Sequence, residues 1–202
     1  MPETRPIHGL QAIGSDGKQA PLSSIPEMAR RYLEEVRSVQ PHGPYTLIGY
    51  SGGGVIAYEM AQQLKKVGES TDMLVMFDSM HPRSNEMPNR FIDRLKNLPR
   101  LHPTIVGETV LNKLILLPGI GKKLAKWTGA IHPDADVEAI SHRVYWAYLE
   151  GQDQYYPETY EQKAAIIRAE RTNLRYLQLG PALGWQNDLT QAPILRSVDA
   201  NH

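Results

Sequence analysis

The run YTLIGYSGGGVIAYEMAQQL, Tyr45 to Leu64, changes its period at one residue. Before Ser51 the apolar residues form a short strand-like run, Tyr45 to Gly49. After it they recur at helical spacing, and the run ends with Lys65 and Lys66 in its last turn and Gly68 beyond, as helix C-termini favour. A backbone that must pass from extended to helical within two residues, with glycines on both sides of the turn, has few architectures open to it. The simplest is a strand feeding a helix across a sheet.

The flanking sequence repeats that rhythm. Pro6 to Leu10 reads as a first short strand, followed by the turn-rich GSDGKQAPL. Ser24 and Glu27 have the spacing of a capping box, and Pro26 falls in the first turn of the helix that follows. Ile25, Met28, Ala29, Tyr32, Leu33 and Val36 mark its apolar face, and QPHGP stops it. A further strand, Met73 to Phe77, ends at Asp78. From about residue 81 to 161 the pattern becomes helices broken by proline and glycine, without a strand. The strand rhythm returns with AAIIRAE from Ala164 and closes with APILRSV before DANH. The expectation is one α/β domain over residues 1–202: a mostly parallel central sheet flanked by helices, with a helical insertion at about 81–161.

Composition removes several classes of function. Lys+Arg and Asp+Glu both number 22, so no net field draws the chain to nucleic acid or an anionic membrane. With no cysteine, disulfides, thiolate metal sites and cysteine nucleophiles are excluded. No apolar run approaches the roughly 20 residues of a membrane span, and the N-terminus lacks a signal-peptide pattern. A cytoplasmic location is the expectation.

Gly49-Tyr50-Ser51-Gly52-Gly53 fits G-x-S-x-G, in which a serine sits on a tight strand-to-helix turn with its hydroxyl exposed. Gly49 and Gly53 would avoid collisions with neighbouring backbone, and the Gly52 N–H would open the helix facing a developing oxyanion. The plainer alternative is that Ser51 only caps the helix. A phosphate loop does not fit, because G-x-x-x-x-G-K-[ST] is absent and Ser51 stands where G-x-G-x-x-G needs glycine. A serine nucleophile needs a base and an orienting acid. Asp78 and Glu170, each at a strand end, both qualify as the acid. Of the seven histidines only His202 follows the last strand, completing the order Ser, Asp, His. Tyr145, Trp146 and Tyr148, in a helix from Val137 to Gly151, read first as core and otherwise as the lining of an acyl chamber.

These stretches, with LVMFDSMHP, YYPETYEQKAAIIRAER and LGWQNDLTQAPILRSVDANH, closely resemble the thioesterase domains of nonribosomal peptide and polyketide synthases. The resemblance spans most of the chain and is weakest between residues 83 and 153. It implies an α/β-hydrolase whose serine takes an acyl or peptidyl chain from the phosphopantetheine of a carrier protein and releases it by hydrolysis or cyclisation. It maps the acid onto Asp78, with Glu170 as fallback, and the base onto His202. The insertion would be the lid. The phosphopantetheine belongs to the carrier, and no metal or nucleotide cofactor is implied.

Relatives also carry earlier strands and an HPAGG-type loop that gives a second oxyanion donor, and they continue into a final helix. None of these is recognisable here, so the resemblance implies a shortened sheet, a donor from elsewhere and a tendency to self-association. Two alternative functions stay open at this level. One is a non-catalytic remnant that binds a carrier protein, and the other is an esterase or lipase acting on oxygen esters.

Overall fold

The computed structural model describes residues 6–84, 135–171, 176 and 179–201. Four strands, β1 (Tyr45–Tyr50), β2 (Thr71–Phe77), β3 (Ala164–Arg171) and β4 (Ile194–Asn201), form one sheet in the order β1-β2-β3-β4. Every neighbouring pair is parallel. All four strands therefore deliver their carboxyl ends to the same edge of the sheet, where α/β folds place their sites.

Among the described residues three helices accompany the sheet: α1 (Ile25–Val39), α2 (Gly52–Lys66) and α3 (Ala135–Asp153). The first buries Ile25, Met28, Ala29 and Leu33, the face that the spacing marks out, while Tyr32 and Val36 pack half-buried at its rim. It lies on α2, which in turn covers β1 and β2. The C-terminus of α2 closes in a Schellman motif. The Glu69 N–H donates to the Leu64 carbonyl and the Gly68 N–H to that of Lys65, with Gly68 at φ +78°.

The register explains the core. Leu47, Leu74 and Ala164 lie side by side across three strands, and Gly49, Met76, Ile166 and Leu195 form the next row. Leu74, Met76 and Ile166 are fully buried beneath the helices, each contributing roughly 1.5–3 kcal/mol by removal from water. Tyr58 of α2 anchors the far side. Its ring stacks 4.5 Å from Trp185, and its hydroxyl donates to the carbonyls of Glu158 and Asp188.

Three local expectations are corrected. Pro6 to Leu10 form no strand: the segment is exposed, and among the described residues no strand pairs with it, so its backbone groups lack a ladder. The Ser24 hydroxyl makes no capping bond, although α1 starts where the Ser24/Glu27 spacing puts it. There the Ser24 carbonyl takes the first helical bond, from the Met28 N–H. Tyr145 and Trp146 are 56% and 64% exposed, not core, because the face of α3 that carries them points outward. Of the insertion, residues 85–134 lie outside the described residues, while α3 spans the helix expected there.

Candidate active site

Ser51 follows β1 directly and opens α2. Its backbone adopts φ 50°, ψ −120°, outside every well that an L-residue favours. Such a conformation costs about 1–3 kcal/mol and persists only where surroundings enforce it. Here the Ser51 N–H donates to the Phe77 carbonyl at 2.8 Å, and the Gly54 N–H donates to the Ser51 carbonyl at 3.1 Å. Its side chain makes no cap bond to the helix, which removes helix capping as the reason for a serine.

The glycines around it act at specific positions. A Cβ at Gly49 would fall on the carbonyl of Gly53, so the turn requires glycine there. The collision expected at Gly53 does not occur, since an added Cβ would meet nothing within 4 Å. It falls instead on Gly54, where a Cβ would strike the Ser79 side chain, packed at the end of β2. At Gly52 the space is filled by the Tyr148 ring of α3.

Asp78 occupies the crest of the neighbouring strand. Because Tyr50 pairs with Phe77, the next residues, Ser51 and Asp78, leave adjacent strands at the same level. Asp78 also adopts a left-handed backbone, at φ 48°, and is 4% exposed. Its N–H donates to the Ile167 carbonyl at 2.7 Å, and its Oδ1 accepts the Ala169 N–H at 3.1 Å. The carboxylate is thereby held between the crests of β2 and β3. Glu170, the other acid considered, sits one strand further away, is exposed, and accepts a hydrogen bond from the Ser197 hydroxyl. His202 lies outside the described residues, and β4 runs as far as Asn201 before it.

Beside this edge is a buried cluster that sequence reasoning did not single out. His81 stands edge-on to Trp185 at 4.8 Å, accepts the Arg83 N–H on Nδ1, and brings Nε2 to 3.2 Å from Asp188 Oδ2. The Trp185 indole N–H donates to the Ser79 carbonyl. Burial, with the Arg83 guanidinium nearby, lowers the His81 pKa to about 4, so the ring is neutral at physiological pH. The cluster ties the chain just after Asp78 to the loop before β4.

A sequence model of the family described as "Thioesterase domain" matches residues 1–105. The polyketide synthase PksR of Bacillus subtilis (strain 168) is 32% identical over 182 residues, covering 79% of this chain and 7% of that protein. Malpibaldin synthetase of Mortierella alpina is 45% identical over 75 residues, covering 37% of this chain and 1% of that protein. The chain thus spans a small fraction of the length of these relatives.

Among solved structures, a four-domain holo nonribosomal peptide synthetase bound to AMP and glycine matches with TM-score 0.58 and 25% identity, over 93% of this chain and 15% of that one. The NocB thioesterase domain, in covalent complex with a fluorophosphonate nocardicin G analogue, matches with TM-score 0.57 and 24% identity, over 94% of this chain and 71% of that one. The parallel sheet with its flanking helices and these neighbours agree on an α/β-hydrolase fold. With the family model spanning half of its length, the chain belongs to the thioesterase-domain family of nonribosomal peptide and polyketide synthases.

Proposed function

We propose that this chain is a serine thioesterase that releases an acyl or peptidyl group from the phosphopantetheine arm of a carrier protein. The observation that carries the reading is the pairing of Ser51 and Asp78. Both are held at positive φ at adjacent strand crests, and the Asp78 carboxylate is buried and fixed by a backbone amide. Strain of this kind clusters where a side chain must be presented to a ligand.

Ser51 Oγ adds to the thioester carbonyl while its proton passes to His202, which the direction of β4 supports as the base. Asp78 orients that imidazole. The C–S bond then breaks, the thiol leaves with the proton, and water or a substrate nucleophile attacks the acyl-serine. The Gly52 N–H, at the positive end of α2, stabilises the negative oxygen in both steps.

The test is hydrolysis of an acyl N-acetylcysteamine thioester and of the matching oxygen ester by the parent chain and by Ser51→Ala. Thioester turnover should fall by roughly 10³-fold or more in the variant. Equal rates in parent and variant would overturn the reading. A parent that prefers the oxygen ester would move it to an esterase.

A further inference from the structure

This inference rests on Ser51 being the acyl acceptor. Gly52 is the first residue of α2, so its N–H has no helical partner. The side of Gly52 on which an L side chain would stand is occupied by Tyr148. An ideal Cβ there would lie 2.6 Å from Cζ of that ring and 2.9 and 3.0 Å from its Cε atoms. Cζ carries the hydroxyl. The phenolic end of the ring is therefore the part pressed against the residue after the nucleophile.

The placement is built by the backbone of α3. Less than one turn further on, Gly151 packs so closely on Ser23 and Ser24 that a Cβ would lie 3.0 Å from the Ser23 carbonyl carbon. That contact anchors the helix which holds Tyr148 over Gly52. Other tyrosine hydroxyls in the interior are satisfied: Tyr58 donates to two carbonyls and Tyr155 to the Glu59 carboxylate. Among the described residues the Tyr148 hydroxyl makes no hydrogen bond. Burial, with the Tyr176 and Tyr145 phenols nearby, raises its pKa well above the ordinary tyrosine value, so it remains a donor throughout the physiological range.

We propose that Tyr148 Oη donates a hydrogen bond to the oxyanion formed when Ser51 adds to the thioester, as a second donor beside the Gly52 N–H. As the Oγ–C bond forms, the carbonyl π pair moves onto oxygen, and that oxygen accepts both bonds. When the intermediate collapses, the pair returns and the thiolate leaves, taking its proton from the base. Tyr148 keeps its own proton throughout. The same geometry gives Gly52 a reason to lack a side chain, since any Cβ would push the phenol off the site.

Tyr148→Phe keeps the ring and its packing while removing only the O–H. Three quantities decide the matter: kcat and KM for an acyl N-acetylcysteamine thioester, and the rate of Ser51 labelling by a fluorophosphonate, whose P=O oxygen takes the oxyanion position. With a donor lost, kcat should fall about 10- to 100-fold at a KM within about twofold of the parent, and labelling should slow in proportion. Tyr148→Phe at the parent's rates would overturn the proposal, as would loss of activity only in Tyr148→Ala, the mark of a packing role. A parent that shows neither turnover nor Ser51 labelling would instead sink the serine thioesterase reading, and this inference with it.

Discussion

The two faces of the sheet differ more than their sequences do. On the face beneath the helices Leu74, Met76 and Ile166 are fully buried. On the other, Ile48, Val75, Ala165 and Ile194 form one row across the four strands, and Tyr50, Phe77, Ile167 and Arg196 form the next. There Ile48 is 57% and Tyr50 58% exposed. Strands of parallel sheets carry apolar residues on both faces because both are normally covered. The comparison teaches that apolar content in such strands marks a parallel sheet without saying which face holds the described helices. The candidate site belongs to the helix-covered side, since Gly49 shares a row with Met76 and Ile166 and α2 begins directly after Ser51.

The largest effect that would sharpen this contrast is expected under α2. Leu74→Ala should cost about 2–5 kcal/mol, the range for emptying a packed leucine site. Denaturant unfolding would read it directly, and a cost near zero would break the assignment of this row to the core.

The same side should also carry acid sensitivity. His81 has its folded pKa lowered to about 4, below the ordinary 6.5, so the unfolded chain takes up this proton first as pH falls. Stability is then complete above pH 6.5 and is lost progressively as pH drops from 6.5 towards 4. A displacement of that size corresponds to at most about 3 kcal/mol. Titratable neighbours bear on the slope: Asp188, whose own pKa burial raises, faces Nε2, and Arg83 lies beside the ring. Melting temperatures between pH 7 and 4.5 should fall more steeply for the parent than for His81→Gln, and parallel curves would contradict the assignment.

The smallest effect is expected on the open face. Ile48→Thr should change stability by less than about 0.5 kcal/mol, as exposed substitutions do. A cost comparable with that of Leu74→Ala would show that this face is covered in solution.

Legibility in the sequence followed the range of the interactions. The strands, α1, α2 and the serine turn were readable because period and glycine placement are local, and the requirement at Gly49 follows from the turn itself. The strand reading at Pro6–Leu10 misled for the same reason, because a strand exists only with a partner to complete its ladder. The contact of Tyr148 with Gly52 joins residues 96 positions apart, and the His81–Asp188 approach joins residues 107 apart. Neither leaves a periodic trace. Asp78 lay between these cases: its strand-end position could be read, but not the Ala169 amide that holds it.

The positive-φ backbone at Ser51 and Asp78 also bears on how such a domain could be engineered. These are two of three non-glycine residues with positive φ among the described residues, the third being Leu183. Glycine would relieve the strain at each. A selection that rewarded melting temperature alone would therefore push positions 51 and 78 towards glycine, trading the candidate chemistry for robustness. Stabilising libraries should hold both residues fixed and seek their gains on the open face.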